Sequence, residues 1–202
     1  MVTKIKTPII TEGEDSKESL GLVHVYTGDG KGKTSASLGL ALRAIGNNLR
    51  IYMIQFLKSG FTGELYSAKK LGFTIEQFGV DALKERQKHL EEFADKTGRF
   101  VFQPDIEEKD AAMEALEHAK KIIESKDYDV VILDEINCVL DKGLISLEDV
   151  LELVKEHGKV ELVLTGRDAP KELMEDADYV SVIERRKHPW QKGIKARKGI
   201  EY

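Results

Sequence analysis

An α/β fold, a mostly parallel sheet with helices on both faces, is predicted by three observations. Short apolar runs alternate with helical patterns along most of the chain; the first run leads through a glycine-rich turn into a helix; and a later run, "VVILDE" (130–135), ends in two acids. The predicted strands are 22–26, 50–56, 73–78, 129–134, 160–165 and 179–183. Between them, Ala112, Met113, Leu116, Ala119, Ile122 and Ile123 recur at three- and four-residue spacing, which predicts a helix over 106–124. Leu147, Val150, Leu151 and Val154 do the same over 146–156, behind a Ser146-x-x-Asp149 capping box. Residues 1–20 are polar and aperiodic and read as a mobile arm; 21–202 read as one domain. The segment 93–105, "FADKTGRFVFQPD", fits no simple element and reads either as a short edge strand or as a loop with ligand contacts.

Composition narrows the possible functions. The 202 residues carry a net charge of −5, which argues against a dedicated nucleic-acid binder. No apolar run approaches the roughly 20 residues a membrane helix needs, and the first residues lack a signal-peptide core. A single cysteine, Cys138, permits no internal disulfide and suits a reducing cytoplasmic setting. The charge is uneven: seven Lys/Arg and one acid lie between Arg185 and Tyr202. That segment reads either as a solvated basic tail or as one that folds back onto an anionic ligand.

The stretch "YTGDGKGKTS" carries the chemistry. A P-loop reads G-x-x-x-x-G-K-[ST]; Gly32, Lys33 and Thr34 supply its end, but position 27, where the first glycine belongs, is threonine. Gly28 comes one residue late. Backbone N–H groups of Gly28, Asp29, Gly30, Lys31 and Gly32, together with a helix N-terminus at Lys33, Thr34 and Ser35, can cradle phosphates. Lys33 would neutralise phosphate oxygens and the Thr34 hydroxyl would bind Mg²⁺ (or Mn²⁺). Asp134 and Glu135 supply carboxylates at the end of a buried strand, about 100 residues on, to hold the metal opposite Thr34. Arg167 either joins the ligand edge, or pairs with Asp168 or caps the next helix; His24, alternating with valines, reads as structural. These residues point to an Mg²⁺–nucleoside triphosphate enzyme of P-loop type and do not name the acceptor. They leave open a transferase, a kinase or hydrolase, and a nucleotide-dependent binding protein.

Further motifs narrow the choice. "GDGKGKTSASLGLALRA", "IQFLKSG", "GRFVF", "VVILDEI", "LTGRDAP", "DADYV" and "KHPWQKGIKARKGIEY" together resemble the P-loop corrinoid adenosyltransferases, from Gly21 almost to Tyr202. The resemblance implies transfer of the 5′-deoxyadenosyl group of ATP to the Co(I) centre of cobalamin or a corrinoid precursor, with intact triphosphate expelled. It implies ATP seated in reverse, with Lys33, Thr34 and Glu135 as catalytic groups and Gly28 to Ser35 and Arg167 around the nucleotide. It also implies that Phe100 and Phe102 displace the lower corrinoid ligand, that a reduced flavoprotein donates the electron, and that the enzyme is a cytoplasmic homodimer. Three departures stand out. The family commonly has tryptophan at the position of Phe102, a basic arm where residues 1–20 here carry several acids, and a small residue where this chain has Asp168.

Overall fold

The structure, a computed structural model, describes residues 17–60, 62–79 and 106–201. Six strands, β1 (Val23–Thr27), β2 (Ile51–Phe56), β3 (Thr74–Phe78), β4 (Val130–Asp134), β5 (Glu161–Thr165) and β6 (Tyr179–Val182), match the predicted runs to within one residue at each end. They form one sheet in the order β3-β2-β4-β5-β1-β6, and every neighbouring pair is parallel. The helices are α1 (Lys33–Ile45), α2 (Gly63–Leu71), α3 (Ile106–Ser125), α4 (Ile136–Asp141), α5 (Leu147–Glu156) and α6 (Lys171–Glu175). A 3-10 turn, Pro189–Lys192, lies in the basic tail. Phe100, Phe102 and the segment 93–105 lie outside the described residues.

Why the sheet is buried on both faces follows from its sequence. All six residues of β2 and all five of β4 are buried, so successive side chains must find cover on opposite sides. Val131 and Leu133 join Ile54, Phe56, Leu162 and Leu164 beneath α3, α4 and α5. Val130 and Ile132 turn the other way with Met53 and Val163, where Ala41 and Ala44 of α1 lie against them. Each fully buried Ile, Leu or Val contributes roughly 1.5–3 kcal/mol to this arrangement. α5 starts as its capping box predicts: Ser146 Oγ accepts from the Asp149 N–H at 3.1 Å and donates to Asp149 Oδ2 at 2.7 Å.

The amino ends of the strands are tied down by acids. The Arg50 N–H donates to Asp129, those of Gly21 and Leu22 to Glu161, and that of Val23 to Asp178. His24 lies 2.6 Å from Glu161 and stacks on Tyr179 at 4.5 Å, the structural role its alternation with valines predicts. The carboxyl ends are different. The chain leaving β1 crosses to β2, past the places of β5 and β4, so the sheet's order reverses beside β1, the kind of position at which α/β sheets bind ligands. A separate surface cleft of about 530 Å³, between α3 and residues 143–149, includes none of the residues at these carboxyl ends.

Candidate active site

Thr27 resolves first. It is the last residue of β1, buried, paired in register with Val182, and its hydroxyl accepts the Ala169 N–H at 3.1 Å. Strand β1 therefore runs one residue further than a P-loop glycine at 27 would allow, and the loop begins at Gly28. Gly28 has φ +103, a conformation side chains rarely adopt. Gly30 is required for a different reason: a Cβ there would lie 2.7 Å from the Ile183 carbonyl oxygen. Its N–H donates to that same oxygen at 2.7 Å, so this amide is engaged by the residue that follows β6.

The loop ends at the N-terminus of α1. Gly32 precedes it without a side-chain cap, and the first helical bond runs from the Ala36 N–H to the Gly32 carbonyl. The N–H groups ahead of it have no acceptor inside the helix, which favours an anion at this point. Lys33 is buried, and its ammonium donates to the carbonyls of Gly28 (2.6 Å) and Gly30 (2.9 Å). Burial lowers its pKa from the ordinary lysine value, partly offset by Glu135 nearby, while Arg167 adds to the lowering. Ser35 is exposed on the same first turn.

Beside the start of α1, Asp134 is fully buried and accepts four hydrogen bonds. Oδ1 takes the hydroxyls of Thr34 (2.9 Å) and Thr165 (2.7 Å). Oδ2 takes the Gln55 amide (3.0 Å) and the Lys58 ammonium (2.6 Å). The predicted partners Thr34 and Asp134, 100 residues apart, thus touch directly. Glu135 sits beside them at φ +68, its N–H donating to Thr165 Oγ1 and its carboxylate accepting the Cys138 thiol at 2.9 Å. Cys138 in turn accepts the Arg167 N–H, and burial together with Glu135 pushes the thiol pKa up to about 12. Arg167 is exposed, and among the described residues no ion pair joins it to Asp168. Asp168 adopts a left-handed backbone, φ +51, which aspartate tolerates better than most side chains.

The basic tail does fold back, onto the loop itself. Asp29 accepts the Arg185 N–H at 3.0 Å and faces its guanidinium at 3.3 Å; both contacts hold its carboxyl below the usual range. Lys31 donates to Glu201 at 2.9 Å, and Arg197 grips the same carboxylate, whose pKa is pulled down to about 2.

Sequence reasoning assigned no role to Gln55, Lys58 or Thr165. Their signal was position: Gln55 and Asp134 are register partners, and Thr165 ends β5 one step beyond the Leu133–Leu164 pair. Polar residues at the level where three strands end mark a shared edge.

The oxygen donors at Thr34, Asp134 and Glu135 suit a hard divalent cation. Among the described residues no group of three or more His, Cys, Asp or Glu could enclose a metal by itself, so phosphates and water would complete the shell.

Fold and cluster define a P-loop nucleotide-binding protein. A family model described as ATP:corrinoid adenosyltransferase BtuR/CobO/CobP matches residues 19–202, and the chain belongs to that family. Its relatives include the corrinoid adenosyltransferase of Escherichia coli strain K12, 30% identical over 98% of this chain and 94% of that protein. A Sinorhizobium corrinoid adenosyltransferase is 35% identical over 90% of this chain and 80% of its own length. The flagellar accessory protein FlaH of Methanocaldococcus jannaschii shares the fold at 14% identity, with a TM-score of 0.51 over 81% of this chain and 71% of that one. Family membership sets aside the kinase or hydrolase that the loop alone left open. Among the described residues, no helix is long and apolar enough to cross a membrane.

Proposed function

We propose that this chain moves the 5′-deoxyadenosyl group of ATP onto a Co(I) corrinoid and expels triphosphate, using the cluster around Lys33, Thr34 and Asp134. The observation that carries this reading is the family match over residues 19–202, and the 2.9 Å bond between Thr34 and Asp134 beside the buried Lys33 ammonium supports its nucleotide end. In such a transfer the corrinoid cobalt attacks C5′ and the C5′–O bond breaks, so negative charge accumulates on the leaving triphosphate. Lys33 and the free N–H groups of the first turn of α1 stabilise that charge from fixed positions, with little reorganisation at the moment of reaction. Thr34, Asp134 and Glu135 would hold Mg²⁺ or Mn²⁺, which supplies further neutralisation of the triphosphate oxygens. Arg167 lies at the same edge, close enough to Asp29 and Lys33 to act on both.

The domain from residue 21 onward would act as a cytoplasmic homodimer, with Phe100 and Phe102 beneath the corrinoid and a reduced flavoprotein as electron donor. Incubation with ATP, Mg²⁺ and chemically reduced cobalamin tests the reaction. The expected products are adenosylcobalamin and triphosphate; ADP and phosphate would sink the assignment. Lys33→Ala is expected to remove most activity and keep the fold.

A further inference from the structure

Asp134 has no lone pair to spare. An ionised carboxylate offers about four hydrogen-bonding positions, and Thr34, Thr165, Gln55 and Lys58 fill four. Any ligand that reaches this carboxylate must therefore displace one donor. Thr165 is fully buried and also accepts the Glu135 N–H. Gln55 is fully buried, accepts from Gln77 at 2.9 Å and donates a second time, to Glu64 at 3.2 Å. Thr34 is itself a prospective ligand.

Lys58 alone combines a flexible stem, a side chain 25% exposed and a second carboxylate within reach, Glu64 at 4.0 Å. The backbone prepares this position. Leu57 has a left-handed backbone, φ +55, while its N–H donates to the Phe78 carbonyl, so the residue before Lys58 is held against β3 just where β2 ends.

We propose that Lys58 is an exchangeable internal cation: a divalent ion arriving at Asp134 displaces its ammonium, which moves to Glu64. The inference rests on Asp134 belonging to the metal site. Two cations cannot share one carboxylate oxygen without strong repulsion, so Lys58 suppresses metal binding until the ion outcompetes it. Glu64 gives the displaced ammonium a counter-charge and lowers the cost of the exchange.

The test is Mn²⁺ binding to the nucleotide-free protein, read from the electron paramagnetic resonance signal of free Mn²⁺. Lys58→Met is expected to tighten Mn²⁺ binding by about tenfold or more, since close charge pairs couple by over 1.4 kcal/mol. Lys58→Arg, whose forked guanidinium grips a carboxylate more firmly, is expected to weaken it, and keeps the test decisive if Lys58→Met does not fold. Glu64→Gln is expected to weaken Mn²⁺ binding in the wild-type background and to have no effect alongside Lys58→Met. Unchanged or weaker binding in Lys58→Met, or a Glu64→Gln effect that persists without Lys58, overturns the proposal. Adenosyl transfer from ATP to chemically reduced cobalamin is scored separately: its absence removes the proposed reaction, while normal transfer with the wrong Mn²⁺ pattern removes only the exchange.

Discussion

Asp134 and Glu161 occupy opposite ends of the same sheet and are held by different kinds of donor. Glu161, at the start of β5, takes the N–H groups of Gly21 and Leu22 and faces His24. Asp134, at the end of β4, takes only side chains, from α1, β2, the turn after β2, and β5. A backbone N–H cannot leave its acceptor unless the chain moves, whereas a hydroxyl or ammonium leaves by rotating a bond. One carboxylate is therefore a staple, and the other is a socket whose contents can change. The same sheet supplies rigidity at one end and exchange at the other.

The largest expected effect breaks this comparison most directly. Asp134→Asn is expected to lower adenosyl transfer by about a hundredfold or more, the scale of losing a preorganised electrostatic group, while Glu161→Gln stays close to the wild-type rate. Comparable losses of kcat in both variants would erase the distinction between socket and staple.

Stability is expected to show the reverse emphasis. Burial pushes the Glu161 carboxyl up, but the bonds from His24 and from the N–H groups of Leu22 and Gly21 bring it below the usual glutamate value. Its folded pKa is thus depressed, so the stabilisation is present above the unfolded value of about 4.3 and is lost as pH falls through the folded value. Urea unfolding should place Glu161→Gln about 2 kcal/mol below wild type at pH 7, and the gap should narrow in acid. A gap that stays constant to low pH would mean that the contribution is packing and not charge.

A smaller effect sharpens the socket end. With its pKa near 12, Cys138 is a protonated donor to Glu135. Iodoacetamide at pH 8 is expected to alkylate it far more slowly than a free thiol of pKa about 8.5. Rapid labelling in the folded protein would mean that the thiol does not hold Glu135.

How much of this could be read beforehand depended on whether the information was local. The strands and the α5 cap were legible because apolar runs and a Ser-x-x-Asp spacing are local signals. Thr34 with Asp134 was legible because each stands at the end of a recognisable motif. Gln55 and Lys58 were not, since their meaning comes from β2 lying next to β4 in the sheet, which sequence order does not state. The grip of Glu201 on Lys31 joins residues 170 apart and depends on the path of the tail. The tail's sequence pattern left open solvation, the usual reading of a charge run, or folding back onto an anionic ligand; its contacts with the loop come from the chain path, while residues 191–200 remain exposed.

The closeness of Ile183 to the loop has a consequence for anyone who would transplant this site. Gly30 lacks a side chain because another stretch of the same chain passes where one would be. The loop and the strand-to-tail segment are thus a single structural module, and a graft carrying residues 28–34 alone would bring Gly30 without its reason. Into such a chimera the segment from β6 onward must travel too. A truncated parent ending before Ile183, conversely, should accept alanine at position 30 with little steric penalty.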